Sequence, residues 1–440
     1  MSEHPIRIQP ALEQLHMPEN LAIGMMVAAQ HEKCRNFSCD FDYYGFAFGQ
    51  SPFPVPDLLR EKLRENADYG QYVPSGGIPE LREAVADFYK RHFNLETVPE
   101  RVIIGPGTKT LIYMIFNIVE GDVIIPAPAW IGYAPQAMIL GKPWHTLLLG
   151  PETGYRLLPD RLDGFLASLS KKQHLLVLNN PHNPTGVLYS AEELEALAGV
   201  CRKHGVLVLA DEIYALTTYG FEAFTSMGAV YPEKTFVTGG LSKDRSAGGY
   251  RLGACILPSE SGASLGQAFE KMAATLYTSI PTPIQRAAVA VYREDPEIDT
   301  YFETTREIHR IMGRVIRNRC HAIPGLQATL PQGGFYFYLD FQELAPDFQK
   351  KGLKTSNQLS TALLDHPHHV AVVTGDAIML PPDTFGARIA FVDYDGKAAY
   401  DRYRENAPGS DQEEQAFVQE IAPRMLEGVQ VIEDFVGEYR

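Results

Sequence analysis

Cysteine and basic residues are scarce in this chain, and their scarcity excludes several classes of protein. The 440 residues include five cysteines without a Cys-x-x-Cys pair: Cys34, Cys39, Cys201, Cys255 and Cys320. The sequence therefore favours neither a zinc site nor a disulfide framework, and we expect reduced thiols in a cytoplasmic protein. The 39 lysine and arginine residues face 54 aspartate and glutamate residues, so the net charge is -15. Such a charge disfavours nucleic acid and anionic membranes as partners.

Long apolar runs and targeting signals are also missing. No run of about eighteen apolar residues is present, so we expect no transmembrane helix. The start, Met1 to Pro5, lacks a basic segment followed by an apolar one, so we expect no secretory signal peptide. What remains is an ordinary globular composition, 45% hydrophobic and 21% charged. The length suits about two domains.

The order of strand and helix patterns predicts how the chain is organised. The two patterns alternate from about Pro52 to Arg293, which predicts a mostly parallel sheet with helices on both faces. A long helical pattern from Ile298 to Cys320 follows, and we expect this helix to join two domains. Strand patterns at Gly333–Leu339 and Ala387–Val392 then predict a smaller α+β domain.

We therefore expect an α/β protein with two domains of unequal size. The large domain is predicted at residues 51–297, and the small domain at residues 1–50 and 298–440. The charge-rich stretch at 395–414 is interpreted as an inserted loop or ragged helix, followed by one final helix from Glu413 to Tyr439.

Polar residues follow three of the predicted strands, at the point where each apolar run ends. Asn183 follows the run at 174–178, Asp211 and Tyr214 follow the run at 206–210, and Lys243 and Arg251 follow the run at 235–238. In an open parallel sheet the carboxyl ends of the strands share one edge and form a ligand crevice. We therefore expect these loops to converge on one ligand.

Together these residues offer the groups that pyridoxal 5'-phosphate (PLP) requires. A lysine amine condenses with the PLP aldehyde, and a carboxylate keeps the pyridine nitrogen protonated, roles that suit Lys243 and Asp211. Asn183 and Tyr214 can hydrogen-bond the phenolic oxygen, and the planar fork of Arg251 suits a phosphate. Singly, each residue has a plain structural explanation, such as a surface lysine, a turn or a salt bridge. Their order and spacing favour a PLP site.

From about Gly49 to Arg388 the chain resembles the fold-type I PLP enzymes of the class I/II, aspartate aminotransferase-like family, with the motifs in the family's order. The resemblance implies a mostly parallel seven-stranded sheet in the large domain, a small α+β domain, PLP as cofactor and no metal. It also implies that Lys243 links covalently to PLP, that Asp211 pairs with the ring nitrogen and that Arg251 binds the phosphate. Asn183 and Tyr214 are then the residues that contact the ring oxygen.

Residues upstream of these motifs fit the same plan. A predicted helix begins at Thr108 after a turn that ends at Gly107, so its free N–H groups would face an anion. By resemblance, this helix start binds the phosphate and Trp130 stacks on the cofactor ring. The adjacent Lys109 adds a cation, which is favourable near a dianionic phosphate. Tyr72 resembles a tyrosine that reaches the phosphate of the neighbouring subunit, which implies an obligate homodimer.

Two departures from the family pattern stand out. Many relatives carry a hydroxyl three residues before the lysine, where this chain has Gly240, although Thr108 and Lys109 could compensate. Asp244 and Arg245, directly after Lys243, replace residues that are more often apolar or small. Nothing in the sequence explains this charged pair.

The substrate is expected to be an α-amino acid, which presents a carboxylate as well as an amine. Arg388 matches the family's carboxylate-binding arginine, and a guanidinium can hold a carboxylate with two parallel hydrogen bonds. By resemblance, Gly49 lines the same pocket through its backbone, beside Asn183.

The resulting hypothesis is a ping-pong aminotransferase that moves an amino group from an amino acid to a 2-oxo acid. Lys243 then shuttles a proton at the substrate Cα, while Asp211 and Tyr214 support the cofactor. The same fold also carries out elimination and cyclisation of amino acids, so a lyase is the alternative. A non-catalytic PLP-binding regulator is a second alternative, but about fifty residues ahead of the motifs leave no room for a DNA-binding segment.

A neutral amino donor, hydrophobic or aromatic, is predicted. Relatives that act on acidic amino acids often place a second arginine in the segment that corresponds to Met272–Leu276, where this chain has no cation. A buried carboxylate without a partner is costly, so acidic donors are disfavoured unless a cation arrives from elsewhere. Aromatic residues close to Gly49 could line the side-chain pocket or the core: Tyr43, Tyr44, Phe46 and Phe48.

Overall fold

Seven strands form the larger sheet in the computed structural model, which describes residues 7–19, 21–25, 43–170, 172–220, 224–260, 262–365 and 367–440. With strands numbered along the chain, their order is β2 (Val102–Gly105), β8 (Gly253–Ile256), β7 (Thr235–Gly240), β6 (Leu207–Asp211), β5 (His174–Asn179), β3 (Asp122–Ala127) and β4 (Trp144–Leu148). β8 runs antiparallel to its two neighbours, and the other pairs are parallel. The predicted α/β class with a mostly parallel seven-stranded sheet is confirmed.

Alternate residues of the central strands enter two different hydrophobic clusters. In β5, Leu176 and Leu178 belong to one cluster, whereas Leu175 and Val177 belong to the other. Because successive side chains of a strand point to opposite faces, the two clusters lie on opposite sides of the sheet. All residues of β3, β5 and β7 are buried, as expected for strands covered on both faces.

Helices of the first two thirds of the chain pack against this sheet or against one another. Their bounds are Pro10–Glu13, Asp57–Glu65, Pro79–Phe93, Thr108–Ile118, Tyr133–Ile139, Pro159–Ser168, Ala191–His204, Met227–Val230, Gly262–Leu276 and Thr282–Tyr292. Local sequence signals explain some of the boundaries: Ser190 and Glu193 form a capping box, and Gly205 ends the same helix in the left-handed conformation. Within the described residues, no helix is long and apolar enough to span a membrane.

The smaller sheet lies beyond the long helix Pro296–His321, whose presence confirms the prediction for 298–320. The antiparallel strand order is β12 (Val373–Thr374), β13 (Gly386–Ala390), β10 (Tyr336–Asp340) and β9 (Gln327–Ala328). A parallel pair joins β1 (Tyr44–Gly45) to β11 (Val370–Ala371). Short helices complete this part: Ala345–Lys350 and Ser356–Leu364. The domain bounds at 51–297 and 298–440 stay a prediction, and part of the 1–50 segment lies outside the described residues.

The structure corrects the interpretation of the stretch at 395–414. It contains the helix Gly396–Glu405 and the start of the helix Asp411–Ile421, rather than a loop or a ragged helix. Asp395 caps the first helix by accepting two backbone N–H hydrogen bonds. The prediction of a single final helix from Glu413 is also wrong. The chain forms two helices here, Asp411–Ile421 and Pro423–Tyr439, which are separated by a break at Ala422. Proline supplies no N–H and is favoured in the first turn of a new helix.

Glu414 docks this added segment on the long helix. Its carboxylate is buried and contacts the guanidinium groups of Arg310, at 2.8 Å, and Arg314. The charge-rich pattern at 395–414 therefore includes a buried ionic contact, which attaches the helix Asp411–Ile421 to the long helix.

Replacing Glu414 by alanine should lower the free energy of unfolding by about 2 kcal/mol, because two guanidinium groups lose a buried partner. Asp411→Ala is the matched control: Asp411 also contacts Arg314, at 2.8 Å, but its side chain is 80% exposed, against 8% for Glu414. The control should cost less than about 1 kcal/mol. Denaturant unfolding followed by circular dichroism measures both variants, and equal losses would refute the docking role of Glu414.

Candidate active site

A cavity of about 530 Å³ opens where the parallel strands of the larger sheet end. It is lined by these residues of the predicted site: Gly49, Thr108, Lys109, Trp130, Asn183, Asp211, Tyr214, Lys243, Arg251 and Arg388. Gly107 adjoins the cavity, because a Cβ atom there would lie 2.4 Å from Arg251 Nη2. Tyr72 lies outside it, with 86% of its surface exposed. The structure thus brings most of the predicted residues together.

Asn179, at the end of β5, ties two of the loops to each other. Its side-chain amide donates to the carbonyl oxygen of Asp211 at 2.7 Å, and its Oδ1 accepts from the N–H of Asn183 at 2.7 Å. Both bonds are buried. Sequence reasoning missed Asn179, although an amide at the end of an apolar run was a signal for it.

Asp211 ends β6 and is held by two hydroxyl groups. Tyr133 Oη donates to one carboxylate oxygen at 2.7 Å, and Thr238 Oγ1 donates to the other at 3.3 Å. Burial raises the pKa of Asp211, and the hydrogen bond from Tyr133 is the largest effect in the opposite direction. Neither Tyr133 nor Thr238 was predicted as a site residue. They lie 78 and 27 residues from Asp211 in the chain, and no local pattern shows which distant side chain will reach a strand end.

Glu212, the next residue, turns away from the cavity. Its carboxylate accepts from Ser226 Oγ at 3.0 Å and from the N–H of Met227 at 2.8 Å. Burial raises the pKa of Glu212 to about 8. Of the two adjacent acids, Asp211 is therefore the one that faces the cavity.

Lys243 reaches across to the segment that contains Gly49. Its Nζ donates to the Gly49 carbonyl oxygen at 2.6 Å. Tyr336 Oη donates to the same oxygen at 3.4 Å and accepts from Tyr214 Oη at 3.1 Å. Burial, reinforced by Tyr336, raises the pKa of Tyr214 well above its ordinary value. A Cβ atom at Gly49 would lie 1.5 Å from Tyr336 Oη, so glycine is required for this close approach.

Four cations line the cavity, and no carboxylate of the described residues forms an ion pair with any of them: Lys109, Lys243, Arg251 and Arg388. Burial, followed by repulsion from Arg251 and Lys243, lowers the pKa of Lys109. Asp211 is the sole acid among the described residues that line the cavity. The arrangement suits a ligand that carries several negative charges.

Arg388 is only 2% exposed, and its hydrogen bonds are incomplete. Nη2 donates to the Ala47 carbonyl oxygen at 2.7 Å and Nη1 donates to Asn183 Oδ1 at 3.3 Å, while the buried Nε has no partner among the described residues. Its Cζ lies 4.6 Å from the centre of the Tyr336 ring. A buried guanidinium with a free donor is prepared to receive an anionic group.

The donor set fits PLP. A dianionic phosphate requires cations and free N–H groups, which Lys109, Arg251 and the helix that begins at Thr108 offer. A ring nitrogen requires a carboxylate, which Asp211 offers, and an aldehyde requires the amine of Lys243.

The pairing of β7 with β8 explains why Gly240 stands where a residue with a hydroxyl was expected. A Cβ atom there would lie 2.7 Å from the Leu252 carbonyl oxygen and 2.8 Å from the Gly253 Cα, because β7 and β8 pair at this point. No side chain fits, so the hydroxyl found in many relatives is sterically excluded.

The aromatic run near Gly49 contributes one residue to the cavity. Phe48 lines it, whereas Phe46 is buried in the larger hydrophobic cluster and Tyr44 packs against that cluster. The ring of Tyr43 meets His369 edge-on. Of the two alternatives left open for this run, core packing therefore applies to Phe46 and cavity lining to Phe48.

Comparison with known proteins decides the family. A family model for aminotransferase class I and II matches residues 41–392. The chain belongs to this family. It is therefore a PLP-dependent aminotransferase, and an amino acid and a 2-oxo acid as substrates are consistent with the family.

Individual relatives support the same assignment of this aminotransferase. An aspartate aminotransferase of Bacillus subtilis (strain 168) is 32% identical over 350 residues, which span 77% of this chain and 85% of that protein. A probable aspartate/prephenate aminotransferase of Aquifex aeolicus (strain VF5) is 30% identical over 354 residues, with the same coverage of 77% and 85%. The solved structure of an aspartate aminotransferase from Thermus thermophilus with maleate aligns with a TM-score of 0.80 and 23% identity, covering 98% of this chain and 100% of that one. This last likeness concerns the fold.

Gly240→Ser should destabilise the aminotransferase by about 1–3 kcal/mol, because the added atoms collide with backbone. Gly199→Ser is the matched control, since a Cβ atom at Gly199 meets nothing within 4 Å. Thermal unfolding and cofactor titration measure the two variants. The steric explanation fails if Gly240→Ser keeps its stability and binds PLP more tightly than the parent protein.

Proposed function

We propose that this aminotransferase transfers the amino group of a neutral amino acid, with a hydrophobic or aromatic side chain, to a 2-oxo acid by a ping-pong mechanism. The observation that carries the proposal is the joint position of Lys243, Asp211 and Arg388 in one electropositive cavity. Each can meet a different chemical group of the cofactor or the substrate.

We further propose how the chain holds the cofactor. Arg251, Lys109 and the helix start at Thr108, with Gly107, bind the phosphate, and the indole of Trp130 covers the ring. Lys109 Nζ already lies 5.4 Å from the centre of the Trp130 ring, so the two proposed contacts are adjacent. These placements explain why the cavity cations have no carboxylate partner in the part of the chain that the structure describes.

Residues on the other side of the proposed ring position act on its polar atoms. Asp211 faces the ring nitrogen, and its two hydroxyl donors favour the ionised carboxylate that keeps this nitrogen protonated. Asn183 and Tyr214 contact the phenolic oxygen. Tyr336 Oη lies 3.1 Å from Tyr214 Oη and is a further proposed site residue, because Tyr214 would turn its single hydroxyl proton from Tyr336 to the phenolic oxygen when the cofactor binds.

The protein residues then divide the work of proton transfer. Bound PLP supplies the electron-withdrawing ring that acidifies the substrate Cα–H bond. Arg388 orients the substrate by its carboxylate, using the unpartnered Nε and the adjacent amino group. Lys243 Nζ, 2.6 Å from the Gly49 carbonyl oxygen, takes the proton from Cα and returns a proton during transfer.

The side-chain pocket supports a neutral donor. Phe48 and Trp130 present aromatic surface to the cavity, as does Tyr336 beside Arg388. An apolar or aromatic side chain would gain from burial against these rings. The acceptor is proposed to be 2-oxoglutarate or pyruvate.

Aspartate is a second candidate donor, and Lys109 is the observation that favours it. Lys109 lines the cavity, so a cation reaches the pocket although the segment 272–276 has none. Relatives named aspartate aminotransferase and aspartate/prephenate aminotransferase agree with this candidate. If Lys109 is used by the phosphate, the neutral donor is preferred.

We also propose a homodimer that works in the cytoplasm. Tyr72 is highly exposed and remote from the cavity of its own chain, as a residue would be that contacts the neighbouring subunit. The described cysteines Cys201, Cys255 and Cys320 are buried free thiols, which suits a reducing compartment.

Lys243→Ala should abolish visible absorption by the purified protein and the covalent cofactor link that borohydride reduction fixes. Lys109→Met is the matched control in the same cavity, and its reduced cofactor should still map to the peptide that contains Lys243. Circular dichroism checks that both variants are folded. A reducible adduct that persists in Lys243→Ala would reject Lys243 as the attachment point.

A donor panel with single-turnover spectra tests the substrate proposal. Phenylalanine, tyrosine, leucine or methionine should react faster than aspartate. Lys109→Met should weaken cofactor binding, but at saturating cofactor it should change the reaction rates of these neutral donors little. If aspartate is the donor, Lys109→Met should lower its kcat/KM about 10- to 100-fold at saturating cofactor, because a charge-assisted contact is lost. Aspartate as the fastest donor would overturn the neutral-donor proposal.

A further inference from the structure

Arg245 follows Lys243 by two positions and has no exposed surface. Its Cζ lies 4.7 Å from the ring centre of Phe88, 4.4 Å from that of Tyr292 and 4.8 Å from that of Phe302. The three rings belong to three helices: Pro79–Phe93, Thr282–Tyr292 and Pro296–His321. A charged residue directly beside the cavity is therefore enclosed by aromatic surface from separate parts of the chain.

The polar edge of this guanidinium is satisfied as well. Nε and Nη2 donate to the Val291 carbonyl oxygen at 3.2 and 3.0 Å, and Nη1 forms an ion pair with Asp244 at 2.9 Å. A planar guanidinium can stack through its faces and hydrogen-bond through its edge, which an ammonium group cannot do. The charged pair that the sequence left unexplained thus forms one buried unit.

Ser246, the next residue, extends the attachment to a second segment. Tyr301 Oη donates to the Pro54 carbonyl oxygen at 2.9 Å, so its single proton is used. Ser246 Oγ must then donate to Tyr301 Oη at 2.7 Å, and Ser51 Oγ to Ser246 Oγ at 2.6 Å. The hydrogen bonds run in one direction from the segment 51–54 through the loop after Lys243. They also hold Ser246 at a φ of 52°, which is unfavourable for a serine.

We propose that Arg245 is a positioning residue that fixes Lys243 beside Gly49, with the Ser51–Ser246–Tyr301 hydrogen bonds as its second anchor. Lys243 Nζ donates to the carbonyl oxygen of Gly49, two residues before Ser51, so both partners of that contact are attached to the same network. The long helix carries Phe302 and Tyr301, so its side chains contact the loop after Lys243 at both Arg245 and Ser246. This inference rests on the proposed role of Lys243.

Arg245→Met tests the proposal, because it keeps an apolar side chain of similar length and removes the charge and the hydrogen bonds. The matched control is Arg202→Met. Arg202 also combines an aromatic ring (Tyr231, 5.1 Å), a backbone carbonyl (Val230, 2.7 Å) and a carboxylate (Glu233, 2.6 Å), but it lies on the helix Ala191–His204 rather than in the loop after Lys243, and its side chain is 42% exposed.

Two measurements are compared between these variants. In cofactor-free protein, Arg245→Met should accelerate amide hydrogen exchange at residues 241–247, whereas Arg202→Met should leave that segment unchanged. In the loaded enzyme, Arg245→Met should lower kcat about 10- to 100-fold with the donor KM changed less than about twofold, because misplacement of Lys243 affects proton transfer. Arg245→Lys should recover part of kcat. Identical exchange and kcat in the Arg245 and Arg202 variants would overturn the proposal.

Tyr301→Phe keeps the test decisive if Arg245→Met does not fold. This variant removes only the hydroxyl hydrogen bonds, and it should accelerate exchange at 241–247 and at 49–54 and lower kcat without a matching change in KM. Unchanged exchange and kcat would overturn the proposal. Borohydride mapping of the wild-type enzyme distinguishes failure of the proposed function from failure of the anchoring proposal. A cofactor attached elsewhere refutes the role of Lys243, whereas the exchange data on cofactor-free protein test whether Arg245 and Tyr301 anchor the loop.

Discussion

Positive charge held against aromatic rings, without carboxylate partners among the described residues, is the constraint on which the site depends. Lys109 lies over Trp130, Lys243 lies near Tyr214 and Arg388 lies over Tyr336. The negative face of an aromatic ring attracts a cation but does not neutralise it. The cations therefore stay available to an anionic cofactor and to a substrate carboxylate. An internal acid in the same place would compete with both ligands.

The residues around the cavity are tightly connected by burial and hydrogen bonds. Like charges in one cavity repel each other, which destabilises the folded state. Packing and hydrogen bonds in the surrounding structure must offset this repulsion. The strands below the cavity are buried on both faces, and Asn179 ties the Asn183 and Asp211 loops to each other. Tyr336 connects Tyr214 with the Gly49 segment. An anionic ligand relieves the repulsion, and this relief adds to the stability of the loaded protein.

Arg245, two residues after Lys243, is another cation that lies against aromatic rings, but it differs from the cavity cations in its polar contacts. Each nitrogen of its guanidinium contacts Asp244 or the Val291 carbonyl oxygen. Arg388 keeps an unpartnered Nε. The difference separates a guanidinium placed to hold the fold from one placed to receive a ligand. Glu414 shows the acidic counterpart, because its contacts with Arg310 and Arg314 dock the added C-terminal helices.

The sequence by itself determined the strands, the order of the motifs and the family to which they belong, because these depend on local patterns and short spacings. Apolar runs of β character predict buried strands, and parallel strands bring Asn183, Asp211 and Lys243 to one edge. The tertiary structure alone decided the contacts between distant segments. Tyr133 at Asp211, Tyr336 at Gly49 and the rings around Arg245 join elements far apart in the chain. No local periodicity encodes which side chain will cross such a distance, because the packing of whole helices and strands sets that geometry.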